Sequence, residues 1–471
     1  MKGASLRVVG AWRAALVGML LPIAVGSAAQ TPLRWDGATQ PAPSSATQSA
    51  QHTPTQQAPV QVASLVRPQG LVANPLPVAQ GFDVRQFEDM AQQLVSDQRI
   101  PGMAMAIVQN GRIVSMRGYG ITDTRAAEPI DAHTVFRLAS LSKAFAGTMT
   151  GLLVNDGVIR WDSKVTDYLP DFHLQNDYAT QRLTVADVLS HRVGLVHNTY
   201  DRDLEGNQDY RALTQRLAFA PSACQPGECY GYQNVAFSLI GDVVFAATGT
   251  FYPQEVERRI FKPLGMDDAS IGLEGIEASP RWAKPHVRGR GGWVSMMPKP
   301  AYYRVAPAAG VNASISDMAQ WLLAHGGHRP DVLPAPLLAT LHAPLVSTPT
   351  ELRGTWRRQR LSSAGYAIGW RVYDYAGHQV VFHAGAVQGY RGMVALLPER
   401  DLGIAILWNS ESSLPSGLLP TILDRAIGLP AQRWLDVEPF DEGLYAERNA
   451  TPSPGATSTG STATTSSAAP K

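Results

Sequence analysis

Cysteine is nearly absent: the 471 residues hold two, Cys224 and Cys229, so at most one internal disulfide can form. Neither sign of charge is in excess, with 40 Lys and Arg against 39 Asp and Glu for a formal charge of +1. No basic run is interleaved with aromatic residues, so a nucleic-acid partner is not expected. The nearest candidate, Arg288-Gly-Arg-Gly-Gly-Trp293, reads as a glycine-rich loop. Three catalytic signatures are also missing: the Gly-x-x-x-x-Gly-Lys-Ser/Thr phosphate loop, the His-Glu-x-x-His zinc helix and the Gly-x-Ser-x-Gly elbow. Nucleotide hydrolysis, zinc peptidase chemistry and an α/β-hydrolase therefore lack support. His325, His328 and His342 show no metal-ligand grouping, and neither metal nor cofactor is expected.

Long apolar runs are lacking too. The N-terminal one, Ala14 to Gly26, falls short of the roughly 20 residues that a spanning helix needs. It follows Lys2, Arg7 and Arg13 and precedes Ser27-Ala-Ala29, the order of a cleaved signal peptide. No cysteine follows the run directly, which argues against a lipoprotein anchor. Residues 1–29 are therefore read as a signal peptide. The protein is expected to be exported, periplasmic or secreted, with no stable membrane span after processing. Residues 30–81, rich in Pro, Ala, Gln, Ser and Thr, are expected to form a disordered linker, and 446–471 a disordered Ser/Thr/Ala-rich tail. Residues 82–445 suffice for one large domain or two interlocked ones.

Within that stretch, Asp83 to Ser96 has helical periodicity, and Gly102 to Val108 with Arg112 to Gly118 read as a hairpin around Asn110-Gly111. Helical patterns dominate from about 135 to 345. Tyr366 to Tyr375, Gln379 to Ala384, Arg391 to Leu397 and Gly403 to Trp408 read as a meander, and Leu414 to Ile427 as a final helix. Strands near both ends around a helical insertion make an α+β fold.

Chemistry concentrates in three short motifs. Ser140-Leu-Ser-Lys143 is the sole Ser-x-x-Lys. Leu141, Phe145, Met149 and Leu152 or Leu153 recur three or four apart, the period of a helix with one buried face. That spacing puts Ser140 and Lys143 on one side, a turn apart, where an amine held out of water can take the serine proton. A helix start adds partial positive charge that favours an oxyanion. Taken alone, such a pattern is a surface helix start. Tyr232-Gln-Asn234 is the sole Tyr-x-Asn and follows in a loop-like stretch. No Lys-Thr-Gly exists; of two His-x-Gly sequences, His325-Gly-Gly327 reads as a helix C-cap, whereas His383-Ala-Gly385 ends the apolar run Val380-Val-Phe382 at a strand edge.

With these motifs in this order, the chain resembles the broad family that groups class C β-lactamases with low-molecular-mass penicillin-binding proteins, D-stereospecific peptidases and esterases. The resemblance runs from about Phe82 to Leu429. It includes Phe136-Arg-Leu-Ala-Ser140, Trp161-Asp162, Tyr168-Leu-Pro170, Leu189-Ser-His191-Arg-Val-Gly194, Pro263-Leu-Gly-Met266 and Gly389-Tyr-Arg-Gly392. It implies a β-lactamase/transpeptidase-like fold: an antiparallel sheet flanked by helices, an all-helical subdomain inserted at roughly 135–345, and a site between them. It also implies a bacterial protein. His383-Ala384-Gly385 lacks the middle hydroxyl found in Lys-Thr-Gly, His-Thr-Gly or His-Ser-Gly. That weighs against strong β-lactamase activity and leaves acyl transfer intact.

The resemblance assigns the roles. Ser140 would be the nucleophile, with Lys143 and Tyr232 as candidate bases that titrate together. The backbone N–H groups of Ser140 and Ala386 would form the oxyanion hole. Asn234 would bridge Lys143 to a substrate amide. His383 would align the Tyr232 hydroxyl or meet a substrate carboxylate, and Ala384 and Gly385 would line the substrate. Cys224 and Cys229, which bracket a short loop before Tyr232, form either a disulfide that stiffens it, contributing roughly 2 kcal/mol, or two buried thiols. His191 reads as structural, at a turn after a helix. The substrate is expected to be a small molecule or peptide: a D-amino-acid peptide, an ester or a β-lactam. The alternative is a catalytically weak, penicillin-binding-like scaffold in cell-wall metabolism; such a scaffold would be expected to have lost Ser140, Lys143 or Tyr232.

Overall fold

The computed structural model describes residues 74–430 and 432–435. The signal-peptide segment, most of the 30–81 linker and the 446–471 tail lie outside the described residues. The end of the linker is not free of the domain: Leu76 donates its N–H to Glu399 and Ala79 to Ala426, at 2.7 and 2.9 Å. Its backbone is satisfied by the domain, so the composition-based reading fails there.

A nine-stranded antiparallel sheet organises the domain. Its strands are β1 (Gly102–Gln109), β2 (Arg112–Asp123), β3 (Ala126–Pro129), β4 (Val346–Ser347), β5 (Leu361–Tyr366), β6 (Arg371–Tyr375), β7 (His378–Val387), β8 (Tyr390–Leu397) and β9 (Leu402–Trp408), in the order β3-β2-β1-β9-β8-β7-β6-β5-β4. The first hairpin therefore closes against the last strand, with Met105 opposite Ile406. The expected strand Tyr366 to Tyr375 proves to be the last residue of β5 and the whole of β6. Ala367 to Trp370 turn the chain between them, with Gly369 at φ +75°, a conformation that glycine adopts freely.

Both faces of the sheet are covered, which explains the unbroken apolar run of β1. Met103, Met105 and Ile107 alternate onto one face with Ile404, Ile406 and Phe382. There they meet α1 (Val84–Ser96), capped by the Asp83 side chain, and the closing helix α5 (Leu418–Ile427). Ala104, Ala106 and Val108 face the other way, towards the helical insertion. Central to that side are α2 (Ser142–Asn155), α3 (Leu239–Thr248) and α4 (Ile315–Leu323). The period of α2 predicts a single buried face, yet the helix is buried on every side from Ser142 to Leu153. Small residues make this possible: a Cβ on Gly147 would lie 2.4 Å from the Ile368 carbonyl oxygen.

Candidate active site

From Thr134 to Leu153 every residue is buried except Ser140, which is half-exposed. The strand Phe136–Arg137 enters a tight 3-10 turn, Ala139–Leu141, that runs straight into α2. Ala139 holds φ +50°, a strained value for a residue with a side chain. Ser142 pins this turn by donating to the Ala139 carbonyl at 2.6 Å and accepting the Val311 N–H at 3.0 Å. Ser140 is thus presented outward from a rigid, otherwise buried segment.

Lys143 is fully buried. Its Nζ donates towards Ser140 Oγ at 3.3 Å, Asn234 Oδ1 at 2.7 Å and the Ala308 carbonyl at 3.1 Å. Asn234 in turn donates from Nδ2 to Asp201 Oδ2 at 2.7 Å. One of its two amide hydrogens is committed there. The Tyr232 ring lies 4.5 Å from Lys143 Nζ and 5.3 Å from the Arg371 guanidinium.

The Tyr232-Gln-Asn234 stretch is held from behind by the 191–198 loop. The Gln233 N–H donates to His191 Nδ1 at 3.1 Å, the Gly231 N–H to the His191 carbonyl at 2.9 Å and the Asn198 N–H to the Tyr232 carbonyl at 2.8 Å. His191 therefore does more than close a turn. Its ring sits 4.3 Å from that of Tyr232 and 4.6 Å from that of Tyr366. Burial, with Lys143 and Arg371 nearby, holds its imidazole well below the usual histidine range. Cys224 and Cys229 are joined in a disulfide, Cα atoms 6.2 Å apart, in the segment leading to Tyr232.

Across from Ser140 lies β7. Pairing with β6 stops at Phe382 opposite Arg371, so residues beyond it have one edge free of a strand partner. The Ala384 carbonyl faces that edge, accepting from His383 Nδ1 at 2.7 Å. Strand alternation turns the Ala386 N–H to the same edge, and Ala386 is half-exposed. Gly385 allows the approach: a Cβ there would lie 2.2 Å from the Leu138 carbonyl oxygen and 3.1 Å from the Ser140 nitrogen. The Ala384 side chain joins the core on the opposite face, so only its backbone borders the groove.

His383 departs from both roles expected of it. The ring is fully buried, and its Nε2 takes the Tyr366 hydroxyl at 3.0 Å while Nδ1 is used by Ala384. Neither nitrogen remains for Tyr232 or a substrate carboxylate. Burial, then the charges of Arg371 and Lys143, push its pKa well below the ordinary value, so it is neutral. The positive charge near the site belongs instead to Arg371, which binds Glu351 through Nε and Nη2, both at 3.1 Å. Arg357 and the Tyr373 hydroxyl reach the second Glu351 oxygen at 2.9 and 3.0 Å. Burial alone would raise the Glu351 carboxyl, but Arg371 and Arg357 hold it below the carboxylate range. Asp201, Ala308, Glu351, Arg371 and Tyr366 carry no local sequence signal; His191 had one in its place within the resemblance.

A family model described as Beta-lactamase matches residues 87–428. The chain belongs to the beta-lactamase family. Among curated relatives, "Unguisins hydrolase ungD'" of Aspergillus campestris is 26% identical over 349 residues, 72% of this chain and 64% of its own length. The chain thus spans under two thirds of that relative. "Penicillin-binding protein 4" of Amycolatopsis lactamdurans is 24% identical over 391 residues, 79% of this chain and all of that protein. Among solved structures, the octameric penicillin-binding protein homologue from Pyrococcus abyssi superimposes with a TM-score of 0.66 at 22% identity, over 78% of this chain and 81% of that one. SurE follows at 0.60 and 21%, over 74% and 77%. This beta-lactamase family member shares their fold, a large antiparallel sheet flanked by helices.

Proposed function

We propose that this beta-lactamase family protein is an exported serine hydrolase that works through an acyl-enzyme on Ser140. The observation that carries the reading is the one half-exposed hydroxyl of an otherwise buried segment, hydrogen-bonded to a fully buried lysine. Ser140 Oγ attacks the substrate carbonyl carbon, and its proton passes to the Tyr232–Lys143 pair. The oxyanion forms against the N–H groups of Ser140 and Ala386. Collapse returns the proton to the departing amine or alkoxide and leaves acyl-Ser140. Water then releases the acid by the same proton route.

Peptides with D-residues are the favoured substrates. Relatives are named for unguisin hydrolysis and penicillin binding, and SurE has been solved with D-Leu. Esters and β-lactams are the other acyl donors that this chemistry admits. Export is supported by the basic-then-apolar N-terminus and by the Cys224–Cys229 disulfide, which needs an oxidising compartment. Intact-mass spectrometry with a fluorophosphonate, and then with D-peptide, ester and β-lactam donors, tests the reading. The expected result is one adduct mapping to Ser140 and abolished in Ser140→Ala. An adduct that survives in Ser140→Ala overturns it.

A further inference from the structure

The helical insertion holds a second cleft, of about 1010 Å³, whose walls include none of Ser140, Lys143, Tyr232, Asn234 or Gly385. We propose that it binds an organic cation: a primary ammonium carried on an aromatic or apolar body. Two observations point there, a half-satisfied carboxylate and a pair of exposed aromatic rings.

Asp242, in the first turn of α3, accepts from the Tyr210 hydroxyl through Oδ2 at 2.7 Å. Its other oxygen has no hydrogen-bond donor among the described residues. Burial raises this carboxyl above its usual range despite Tyr210 and the attraction of Arg211. A donor that also carries positive charge would relieve that cost. Tyr252, 4% exposed, forms another part of the wall, with its hydroxyl closed off from the cleft.

Phe245 and Phe251 supply the apolar part. They are 43% and 61% exposed and stack with ring centroids 4.7 Å apart at 17°. Two stacked phenyl rings left in water beside a carboxylate suit an aromatic body and add a cation–π attraction. The cations around the cleft do not compete for Asp242 by hydrogen bond. Arg304 is engaged by the Asn207 and Gln208 carbonyls, and Arg211 acts only through space. Asp171 adds a second acidic group and His173 a titratable one. The cleft matches the size of sites that take small molecules.

The test is independent of the acyl-transfer reading, because it uses the full chain carrying Ser140→Ala. Calorimetric titration with 2-phenylethylamine should show saturable binding, and the neutral isostere 2-phenylethanol should bind at least tenfold more weakly. Asp242→Asn and Phe251→Ala, each added to that background, should weaken 2-phenylethylamine at least tenfold. Phe251 is largely exposed, so its substitution leaves the fold intact should Asp242→Asn prove unstable. The proposal falls if binding does not saturate, if the two ligands bind equally, or if Phe251→Ala is without effect. It falls equally if, in the unmutated protein, acylation of Ser140 by a fluorophosphonate displaces the amine.

Discussion

Gly385→Ala tests how the nucleophile and the strand edge are joined. The added Cβ would stand 2.2 Å from the Leu138 carbonyl oxygen and 3.1 Å from the Ser140 nitrogen. Opening the shorter contact to van der Waals distance separates β7 from the Ser140 turn by about 1 Å or more. Neither side yields easily, because the obstructing atoms are backbone and the turn is pinned through Ser142. Overpacking of this kind costs about 1–3 kcal/mol of stability. The catalytic cost is larger in proportion: a 1 Å misplacement, or the loss of one oxyanion donor, is worth about 10²-fold or more. Acylation by a chromogenic ester, followed by stopped flow, should slow by about two orders of magnitude while the protein stays folded by circular dichroism. Gly291→Ala is the control, since a Cβ there meets nothing within 4 Å. An acylation rate for Gly385→Ala within about threefold of the unmutated protein would refute this placement of the oxyanion wall.

Lys143→Ala should lower acylation by about 10²–10⁴-fold; a smaller loss, read from the same stopped-flow traces, would move the whole proton-transfer role to Tyr232. Glu351→Ala leaves Arg371 and Arg357 buried without their carboxylate, so urea denaturation should show about 3–5 kcal/mol less stability, and a midpoint shift worth under 1 kcal/mol would contradict it. Because His383 is neutral in the folded protein, the KM values of an ester and of a peptide with a free carboxylate should follow the same pH profile from 6 to 8. A selective rise for the carboxylate would restore a charged His383. His191, His325, His342 and His383 all have folded pKa values below that of the unfolded chain, His342 at about 3, chiefly through burial. Their stabilisation is therefore complete above roughly pH 6.5 and declines as pH falls, by up to about 1.4 kcal/mol per pH unit for each. Denaturation midpoints at pH 7.5 and 5.5 check this, and equal midpoints would overturn it.

By itself the sequence determined what neighbours in the chain can determine. Three-residue spacing put Lys143 against Ser140, because a helical turn repeats at that interval. Two strand-like runs around the Asn110-Gly111 turn were enough to read the first hairpin. Motif order suggested that Asn234 belongs with Lys143, across a gap that spacing alone could not bridge. Only the tertiary structure decided who completes the site. Ala308 and Asp201 meet the Lys143–Asn234 pair because two separate short helices of the insertion, Ala306–Ala309 and Asp201–Glu205, converge on one buried point. The His383 ring turns to Tyr366, and the charge near the site comes from Arg371, because β6 runs beside β7 only as far as Phe382. The apolar period of α2 could not reveal burial on all sides, since polar residues such as Lys143 and Thr148 find partners only once distant elements enclose them. Local spacing fixes neighbours along one element, whereas register and packing fix neighbours between elements, and this site is built between elements.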